Sequence, residues 1–401
     1  MSSLEAHTDR QMLKDILTAR LAEVKESGLY RRLRAVESSQ DAAIILEGHE
    51  VLLFSSNNYL GLANHPALKQ AAQEATEQYG CGSGASRLIS GSMAIHHKLE
   101  QRLAALKKTD ATLVFPTGYH ANIGALSALM GPDDAIFSDS LNHASIIDGC
   151  RLSRADTQIY RHADTDHLSE LLKARPQSGQ RLIVTDTVFS MEGDLAPLSE
   201  IVALAQEYDA WIMVDEAHAT GVFGPHGGGL VEKLGLAQQI DIQMGTLGKA
   251  LGCVGAYIAG SHELIDWLIN RARSFIYTTG LPPAVAASAL AALDIVESEP
   301  ERREQLWDNT KFLSDGLLSL GYTLGDTRSQ ILPVIIGEAD QTMALAQAML
   351  QHGVFAHGIR PPTVPEGTSR IRATPMATHT QAQLSRTLDA FAAAGKEVGI
   401  R

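Results

Sequence analysis

Cysteine is scarce in this chain, and its spacing excludes two common ways of stabilising a small protein. Among 401 residues there are three cysteines, Cys81, Cys150 and Cys253, which lie far apart without a C-x-x-C pair. A disulfide framework and a cysteine zinc site are therefore not expected. The pattern predicts three reduced thiols in a cytoplasmic protein.

The chain also lacks long apolar runs and an excess of positive over negative charge. No stretch approaches the roughly 20 apolar residues that cross a bilayer, and residues 1–20 have no apolar core of a secretory signal. The net charge is −13, and an acidic chain gains little from releasing the counterions of nucleic acid. We therefore expect neither a membrane nor a nucleic-acid partner.

Metal ligands are present only in weak combinations. His96 and His97 are adjacent, and His162 lies near Asp164 and His167, so each group offers nitrogen or oxygen atoms to a metal. Both groups lie in polar segments that are typical of solvated surface. We therefore expect no metal site.

Short apolar runs alternate with amphipathic helical patterns between about residues 110 and 260. The strand-like runs are residues 111–115, 135–138, 182–185, 211–214 and 256–258. Because these runs are apolar on both faces, they predict an α/β fold with a mostly parallel sheet that is covered by helices on both sides.

The segments on either side of this region have a different spacing. Two short runs around Glu47–His49 predict a hairpin after an N-terminal helix. After residue 300 the pattern predicts helices over 301–320, 340–352 and from 381, with strands over 331–336 and 354–358. We therefore predict an N-terminal helix and hairpin segment over residues 1–50, a large domain over 51–295 and a smaller α+β domain over 296–401.

Polar residues follow several of the predicted strands, where ligands bind in folds of this kind. Asp215 and His218 follow residues 211–214, His143 follows 135–138, and Ser190 follows 182–185. Lys249 follows a further strand-like segment, residues 241–246, and lies among glycines. Alone, each has an ordinary interpretation as a helix cap, a surface lysine or a hydrogen-bonded histidine. Together they are the groups that pyridoxal phosphate (PLP) needs: an amine for its aldehyde, a carboxylate for its ring nitrogen and a ring for its face.

Longer segments around these residues resemble the α-oxoamine synthases, which are PLP enzymes of the aspartate-aminotransferase type (fold type I). The resemblance extends over nearly the whole chain. The matching segments are residues 54–61, 82–87, 142–145, 189–194, 214–224 and 245–252. The family condenses a small amino acid with an acyl thioester and releases carbon dioxide. The resemblance implies a large domain with a mostly parallel seven-stranded sheet and a smaller α+β C-terminal domain.

The resemblance also implies which residues contact the cofactor. Lys249 forms the Schiff base, Asp215 pairs with the pyridine nitrogen, and His143 stacks on the ring. Ser190 and His218 bond the phenolic oxygen, and Lys249, His143, Asp215 and His218 form the catalytic set.

Other residues are implied to bind phosphate and substrate. Backbone groups of Gly118 and Tyr119 bind the phosphate with help from Thr246, and Thr279 reaches it from the partner subunit of a homodimer with shared active sites. The implied substrate contacts are Arg31, Asn57, Arg360, Thr363 and Arg372, with either Arg360 or Arg372 as the anchor of the amino-acid carboxylate.

The segment GIRPPTVP over residues 358–365 favours one substrate pair. It resembles the family members that join L-alanine to a pimeloyl thioester, giving 8-amino-7-oxononanoate for biotin synthesis. The acyl carrier, CoA or a carrier protein, stays open. The alternatives are a synthase that uses glycine or serine with another acyl-CoA, an aminotransferase that needs no thioester, and a PLP-binding transcription regulator. The regulator would need a basic DNA-binding appendage, which this acidic chain lacks.

Overall fold

Helices and strands alternate through most of the chain in the computed structural model, which describes residues 3–175 and 179–400. The helices are α1 (Ser3–Glu26), α2 (Pro66–Tyr79), α3 (Ala94–Lys107), α4 (Gly118–Leu129), α5 (Ala144–Ser153), α6 (Thr165–Ala174), α7 (Leu198–Glu207), α8 (Leu230–Leu234), α9 (His262–Arg271), α10 (Arg273–Ile276), α11 (Pro283–Ser298), α12 (Glu301–Ser319), α13 (Ala339–Gln351) and α14 (Gln381–Glu397). The strands are β1 (Ala43–Leu46), β2 (His49–Leu53), β3 (Ala111–Phe115), β4 (Ala135–Asp139), β5 (Asp156–Tyr160), β6 (Arg181–Asp186), β7 (Trp211–Asp215), β8 (Ile242–Thr246), β9 (Ala256–Gly260), β10 (Leu332–Gly337), β11 (Val354–Phe355), β12 (His357–Ile359) and β13 (Ser369–Ala373). None of the helices in this described part has both the length and the apolar character that a bilayer crossing requires.

A seven-stranded sheet of order β3-β9-β8-β7-β6-β4-β5 carries the predicted site residues. β9 is antiparallel to both of its neighbours, and the other pairs are parallel. Successive residues of β6 pack on opposite faces, with Ile183 in one apolar cluster and Leu182 and Val184 in another. The predicted mostly parallel, doubly covered sheet is confirmed.

The C-terminal part has a small sheet of its own. β10, β13 and β12 form an antiparallel sheet of three strands in the order β10-β13-β12. Its apolar core includes Leu345 from α13, Ile371 from β13 and Phe391 from α14. This agrees with the predicted α+β arrangement, while the boundaries at residues 50 and 295 stay predictions.

By its contacts the chain divides into two compact units. One contains the residues up to Ser38 together with Ile45–His49, and the other contains Ser39–Ile44 and the residues from Glu50 onward. Within the first unit, Glu47 and Gly48 have positive φ angles of 50° and 84°, which is the turn conformation that the hairpin prediction required.

The prediction of one strand over residues 354–358 is wrong, because this segment belongs to two strands. Residues 354–358 contain β11, which pairs in parallel with β2, and the start of β12, which pairs antiparallel with β13. Two further strands, β5 and β13, were not predicted. Their sequences DTQIY and SRIRA carry polar residues, so they lack the continuous apolar run by which the other strands were found.

A buried ion pair joins α3 to the end of β7. Lys107 donates to the Glu216 carboxylate and to the Gly228 carbonyl, and neither charged side chain of the pair is exposed. Val231 N–H donates to the second Glu216 oxygen at 2.9 Å. Burial lowers the pKa of Lys107, but the charge of Glu216 outweighs it and raises that pKa above its usual value.

The Lys107→Met variant tests the energetic weight of this pair. Removal of the cation leaves the Glu216 charge buried, and we expect a loss of about 3–5 kcal/mol in the free energy of unfolding, measured by urea denaturation. Lys311→Met, which breaks the exposed Lys311–Asp315 pair, is the control and should have a much smaller effect. Equal losses of unfolding free energy in the two variants would contradict the larger contribution expected of the buried Lys107–Glu216 pair.

Candidate active site

The carboxyl ends of three neighbouring strands bring the predicted residues together. Asp186 at the end of β6 is the register partner of Asp215 at the end of β7, and Asp215 pairs in turn with Met244 of β8. Lys249 follows β8 directly, in the turn that ends at Gly252. Because parallel strands present their carboxyl ends at one edge of the sheet, the lysine and the carboxylates lie at the same edge.

Lys249 is positioned by a tight turn and by a histidine. Its Nζ lies 2.8 Å from Nε2 of His218. Its carbonyl accepts from Gly252 N–H at 2.9 Å, and Gly252 has a φ of 66° with its absent Cβ position only 2.4 Å from Ala63 N. Burial lowers the pKa of Lys249 to about 8, although Asp215 and Asp186 act in the opposite direction. A substantial fraction is therefore the neutral, nucleophilic amine at mildly alkaline pH.

The Asp215 carboxylate is buried and acts only as an acceptor. Its Oδ2 accepts from Asn122 Nδ2 at 2.9 Å, and its Oδ1 accepts from the backbone N–H of Ala217 at 2.8 Å. The Asn122 amide also donates to Ser145 Oγ at 2.8 Å. A carboxylate held in this way suits a protonated ring nitrogen.

His143 caps α5 with its own ring. Its Nδ1 accepts from the backbone N–H of Ser145 at 3.2 Å and lies 2.7 Å from the Ser145 hydroxyl. A neutral imidazole has one donor and one acceptor, so Nε2 carries the proton. Burial lowers the pKa of His143; the charge of Asp215 opposes this shift, and the positive charge of Lys249 adds to it.

Asp186, Asn122 and Tyr59 were missed by the sequence reasoning. Asp186 accepts from His143 N–H at 2.7 Å, and burial, followed by the charge of Asp215, raises its pKa well above the usual value. Asp186 carries the same signal as Asp215, a carboxylate at the end of an apolar run. Asn122 lies inside α4, where nothing in the local pattern marks it. Tyr59 was quoted only as part of a matching segment.

The candidate phosphate residues lie at one helix start and one strand end. α4 begins at Gly118, where an added Cβ would lie 2.9 Å from Met244 Cε. The Tyr119 side chain donates to Asp148 at 2.8 Å. The phosphate contact that the sequence implied for this residue is therefore one of its backbone and not of its side chain. Thr246 Oγ1 donates to Gly255 O at 3.0 Å.

Two further predicted residues are exposed. Thr279 forms an isolated bridge with Ser86 of its own chain, and its role toward a partner subunit stays a prediction. Arg31 lies in the first compact unit, is exposed, and also stays a prediction.

Arg372 and Arg360 have different surroundings. Arg372 is buried, donates from Nε to Ser190 O at 2.6 Å and from Nη2 to Asn57 Oδ1 at 3.2 Å. Arg360 is half-buried in the turn where its carbonyl accepts from exposed Thr363 at 3.1 Å. The structure therefore brings Arg372, Asn57 and Ser190 together.

The histidines considered as metal ligands have other partners. His162 bridges Asp139 at 3.0 Å and Asp194 at 2.8 Å, and His96 Nε2 contacts Leu281 O at 2.6 Å. Over the described residues, no group of three or more ligating side chains is placed to hold a metal ion. His162 was expected to be solvated, but it is largely covered and ties the 189–194 segment to β4.

Comparisons with known proteins agree with this arrangement. Residues 49–391 match the model of the class I and II aminotransferases. The 8-amino-7-oxononanoate synthase of Geobacter sulfurreducens is 53% identical over 386 residues, which are 96% of this chain and 99% of that protein. A solved structure of SPT (serine palmitoyltransferase) with PLP is 35% identical, with a TM-score of 0.92 and coverage of 96% and 98%. The 8-amino-7-oxononanoate synthase of Francisella tularensis is 27% identical, with a TM-score of 0.76 and coverage of 86% and 98%. The predicted fold and family resemblance are confirmed.

The His162 bridge makes stability depend on pH. Burial lowers the pKa of His162, but hydrogen bonds to Asp139 and Asp194 raise it overall, from 6.5 to about 10. The folded chain thus keeps a proton that the unfolded chain releases, so this contribution is complete below pH 6.5 and is lost as the pH rises toward 10. The unfolding free energy of wild type minus that of His162→Gln should fall between pH 6 and 10; a constant difference would contradict the bridge.

Proposed function

The chain belongs to the class I and II aminotransferases and, among them, to the α-oxoamine synthases, and from this premise we propose that it condenses L-alanine with a pimeloyl thioester. The products are 8-amino-7-oxononanoate, carbon dioxide and the free thiol of CoA or a carrier protein. A carbon–carbon bond forms between the alanine α-carbon and the acyl carbon, the carbon–sulfur bond breaks, and the alanine carboxylate leaves as carbon dioxide.

The observation that carries this proposal is the match to 8-amino-7-oxononanoate synthases over almost the full length of both chains. The Geobacter sulfurreducens protein of that name is 53% identical over 96% of this chain. The solved structure of serine palmitoyltransferase is 35% identical over the same share. Its TM-score of 0.92 exceeds the 0.76 of the Francisella tularensis 8-amino-7-oxononanoate synthase, so the fold does not select the substrate. The 53% identity to the Geobacter sulfurreducens protein is what favours the alanine reaction.

The residues at the strand ends fit PLP, which is the cofactor. Lys249 offers an amine of lowered pKa, and Asp215 offers a buried acceptor for the ring nitrogen. α4 begins at Gly118, and the backbone N–H groups at a helix start are suited to bind the phosphate. When bound, PLP supplies an electron sink for the carbanion of the amino acid.

We propose the following contacts with this cofactor. Lys249 binds it covalently, and Asp215 pairs with its ring nitrogen. His143 lies against its ring, and Ser190 and His218 bond its phenolic oxygen. The phosphate contacts are Gly118, Tyr119 and Thr246 from one subunit and Thr279 from the other.

The same residues handle the substrate and its protons. Arg372 and Asn57 bind the alanine carboxylate, with Arg31, Arg360 and Thr363 toward the acyl substrate. Once displaced by alanine, the Lys249 amine accepts the α-proton, for which a pKa of about 8 is well matched. His143 donates from Nε2 to the thioester carbonyl.

A second candidate is a synthase that uses serine or glycine. It is supported by the TM-score of 0.92 to serine palmitoyltransferase. Purified protein given alanine, glycine or serine with pimeloyl-CoA and palmitoyl-CoA separates the two: the proposal requires alanine and pimeloyl-CoA to give the fastest thiol release.

We also propose a cytoplasmic homodimer whose subunits complete each other's sites. Ile89 and Tyr277 are large apolar side chains that are 81% and 71% exposed. They lie close in sequence to Ser86 and Thr279, which pair with each other. An apolar surface of this kind beside an implied phosphate ligand suits a subunit contact.

Lys249→Ala tests the cofactor assignment. We expect the variant to lose the visible absorbance of lysine-bound PLP, the spectral change on addition of alanine, and turnover, because no other amine occupies this position. Lys173→Ala, which removes an exposed lysine on α6, is the control and should keep all three. Retained turnover in Lys249→Ala would refute the role.

The two candidate arginines are compared by matched substitutions. Arg372→Gln should raise the KM for alanine about 10- to 100-fold, because a charge-assisted hydrogen bond to the carboxylate is lost. Arg360→Gln should leave that KM nearly unchanged. Steady-state kinetics with alanine varied at saturating thioester measure both, and the reverse order would assign the carboxylate to Arg360.

A further inference from the structure

Tyr59 lies at the centre of the site, and none of the roles above uses it. Its side chain is fully buried. The hydroxyl lies 2.6 Å from Nδ1 of His218 and 3.1 Å from Oδ1 of Asn57, and Arg372 Nη2 donates to it at 3.4 Å. Tyr59 therefore connects the histidine beside Lys249 with the pair proposed to bind the substrate carboxylate.

The His218 ring is neutral. Burial lowers its pKa well below the usual value, and the positive charges of Lys249 and Arg372 act in the same direction. A neutral imidazole has one N–H and one free lone pair. Of its two contacts, to Lys249 through Nε2 and to Tyr59 through Nδ1, the ring therefore donates one and accepts the other.

With a free, protonated Lys249, only one assignment of protons is consistent. An ammonium group has donors and no acceptor, so His218 Nε2 must accept from Lys249. The ring proton is then on Nδ1 and is donated to the Tyr59 oxygen. The Tyr59 hydroxyl proton is directed to Asn57 Oδ1, which accepts it.

The assignment reverses when the neighbour of Nε2 is the phenolic oxygen of the cofactor. That oxygen is an anion and accepts hydrogen bonds, so His218 must donate to it from Nε2. Nδ1 then has to accept, and the nearest donor to it is the Tyr59 hydroxyl. Burial raises the pKa of Tyr59, so its hydroxyl keeps the proton that this requires.

We propose that Tyr59 is a positioning residue that lets the His218 ring change its protonated nitrogen from Nδ1 to Nε2 when the cofactor binds. The hydroxyl does this by turning its proton from Asn57 to His218. Phenylalanine has neither the donor nor the acceptor, so no other side chain of this size and shape meets both states. The inference rests on the contact between His218 and the phenolic oxygen proposed above.

Nitrogen NMR of the histidine rings tests this in the full-length chain. ¹⁵N-histidine-labelled protein is measured without PLP and after loading with PLP, and a His218→Gln sample identifies the His218 signals by their loss. In wild type the protonated nitrogen should change from Nδ1 to Nε2 on loading. In Tyr59→Phe it should be Nε2 in both samples, because a proton on Nδ1 would be buried without an acceptor. Lys249, whose pKa is lowered to about 8, is then held as the neutral amine and accepts from Nε2.

Tyr322→Phe is the matched control, since it removes another buried tyrosine hydroxyl, one that donates to Phe391 O at 2.9 Å. It should show the same exchange as wild type. The inference is overturned if wild type keeps one protonated nitrogen in both samples, a result that needs no variant to fold, or if Tyr59→Phe still exchanges. The visible absorbance of the loaded wild-type sample distinguishes failure of the proposed function from failure of this inference. Wild-type protein that does not bind PLP refutes the proposed function, whereas wild-type protein that binds PLP without the exchange refutes only the role of Tyr59.

Discussion

The Asp215 carboxylate is buried at the end of β7, and it is tolerated there because both of its oxygens accept hydrogen bonds, from Asn122 and from Ala217 N–H. A buried carboxylate without such donors would cost several kcal/mol. The strand order then determines what lies near it. β6 and β8 flank β7, so Asp186 and Lys249 approach from either side. Burial at this edge of the sheet lowers the pKa of the lysine against the opposing charges of Asp215 and Asp186. Burial, followed by the charge of Asp215, raises the pKa of Asp186.

Around this centre, the side chains form two connected sets. On one side, His143 is tied through Ser145 and Asn122 to Asp215. On the other, Lys249 is tied through His218 to Tyr59. The first set places the proton of His143 on Nε2, whereas in the second set the protonated nitrogen of His218 depends on what lies beside Nε2. The protonated nitrogen decides whether each ring donates or accepts where the chemistry occurs.

Arg372 extends the second set to the C-terminal sheet. It belongs to β13, yet it donates to Ser190 in the segment after β6 and to Asn57 in the segment after β2. A substrate carboxylate bound there would contact residues from three distant parts of the chain. Such a site needs the C-terminal part and the large sheet to be folded together.

Sequence reasoning found Asp215, His218 and Lys249 because a polar residue after an apolar run is a local pattern. The same pattern was present at Asp186 and was not used. Apolar alternation was misleading at residues 354–358. It predicts a strand but not the strand's partner, and this segment divides between two sheets. Arg360 and Arg372 could not be separated from the sequence, because the choice depends on which of them packs beside Asn57, and Arg372 and Asn57 are 315 positions apart.

The sequence by itself determined the fold class, the family and the cofactor, since these depend on apolar periodicity and on motifs within a few neighbouring residues. Only the tertiary structure decided which arginine joins Asn57, which nitrogen of His143 carries the proton, and that Tyr59 lies beside His218. Tyr59 and His218 are separated by 159 positions. Their contact is set by how separate segments pack, and no local pattern records a partner that distant.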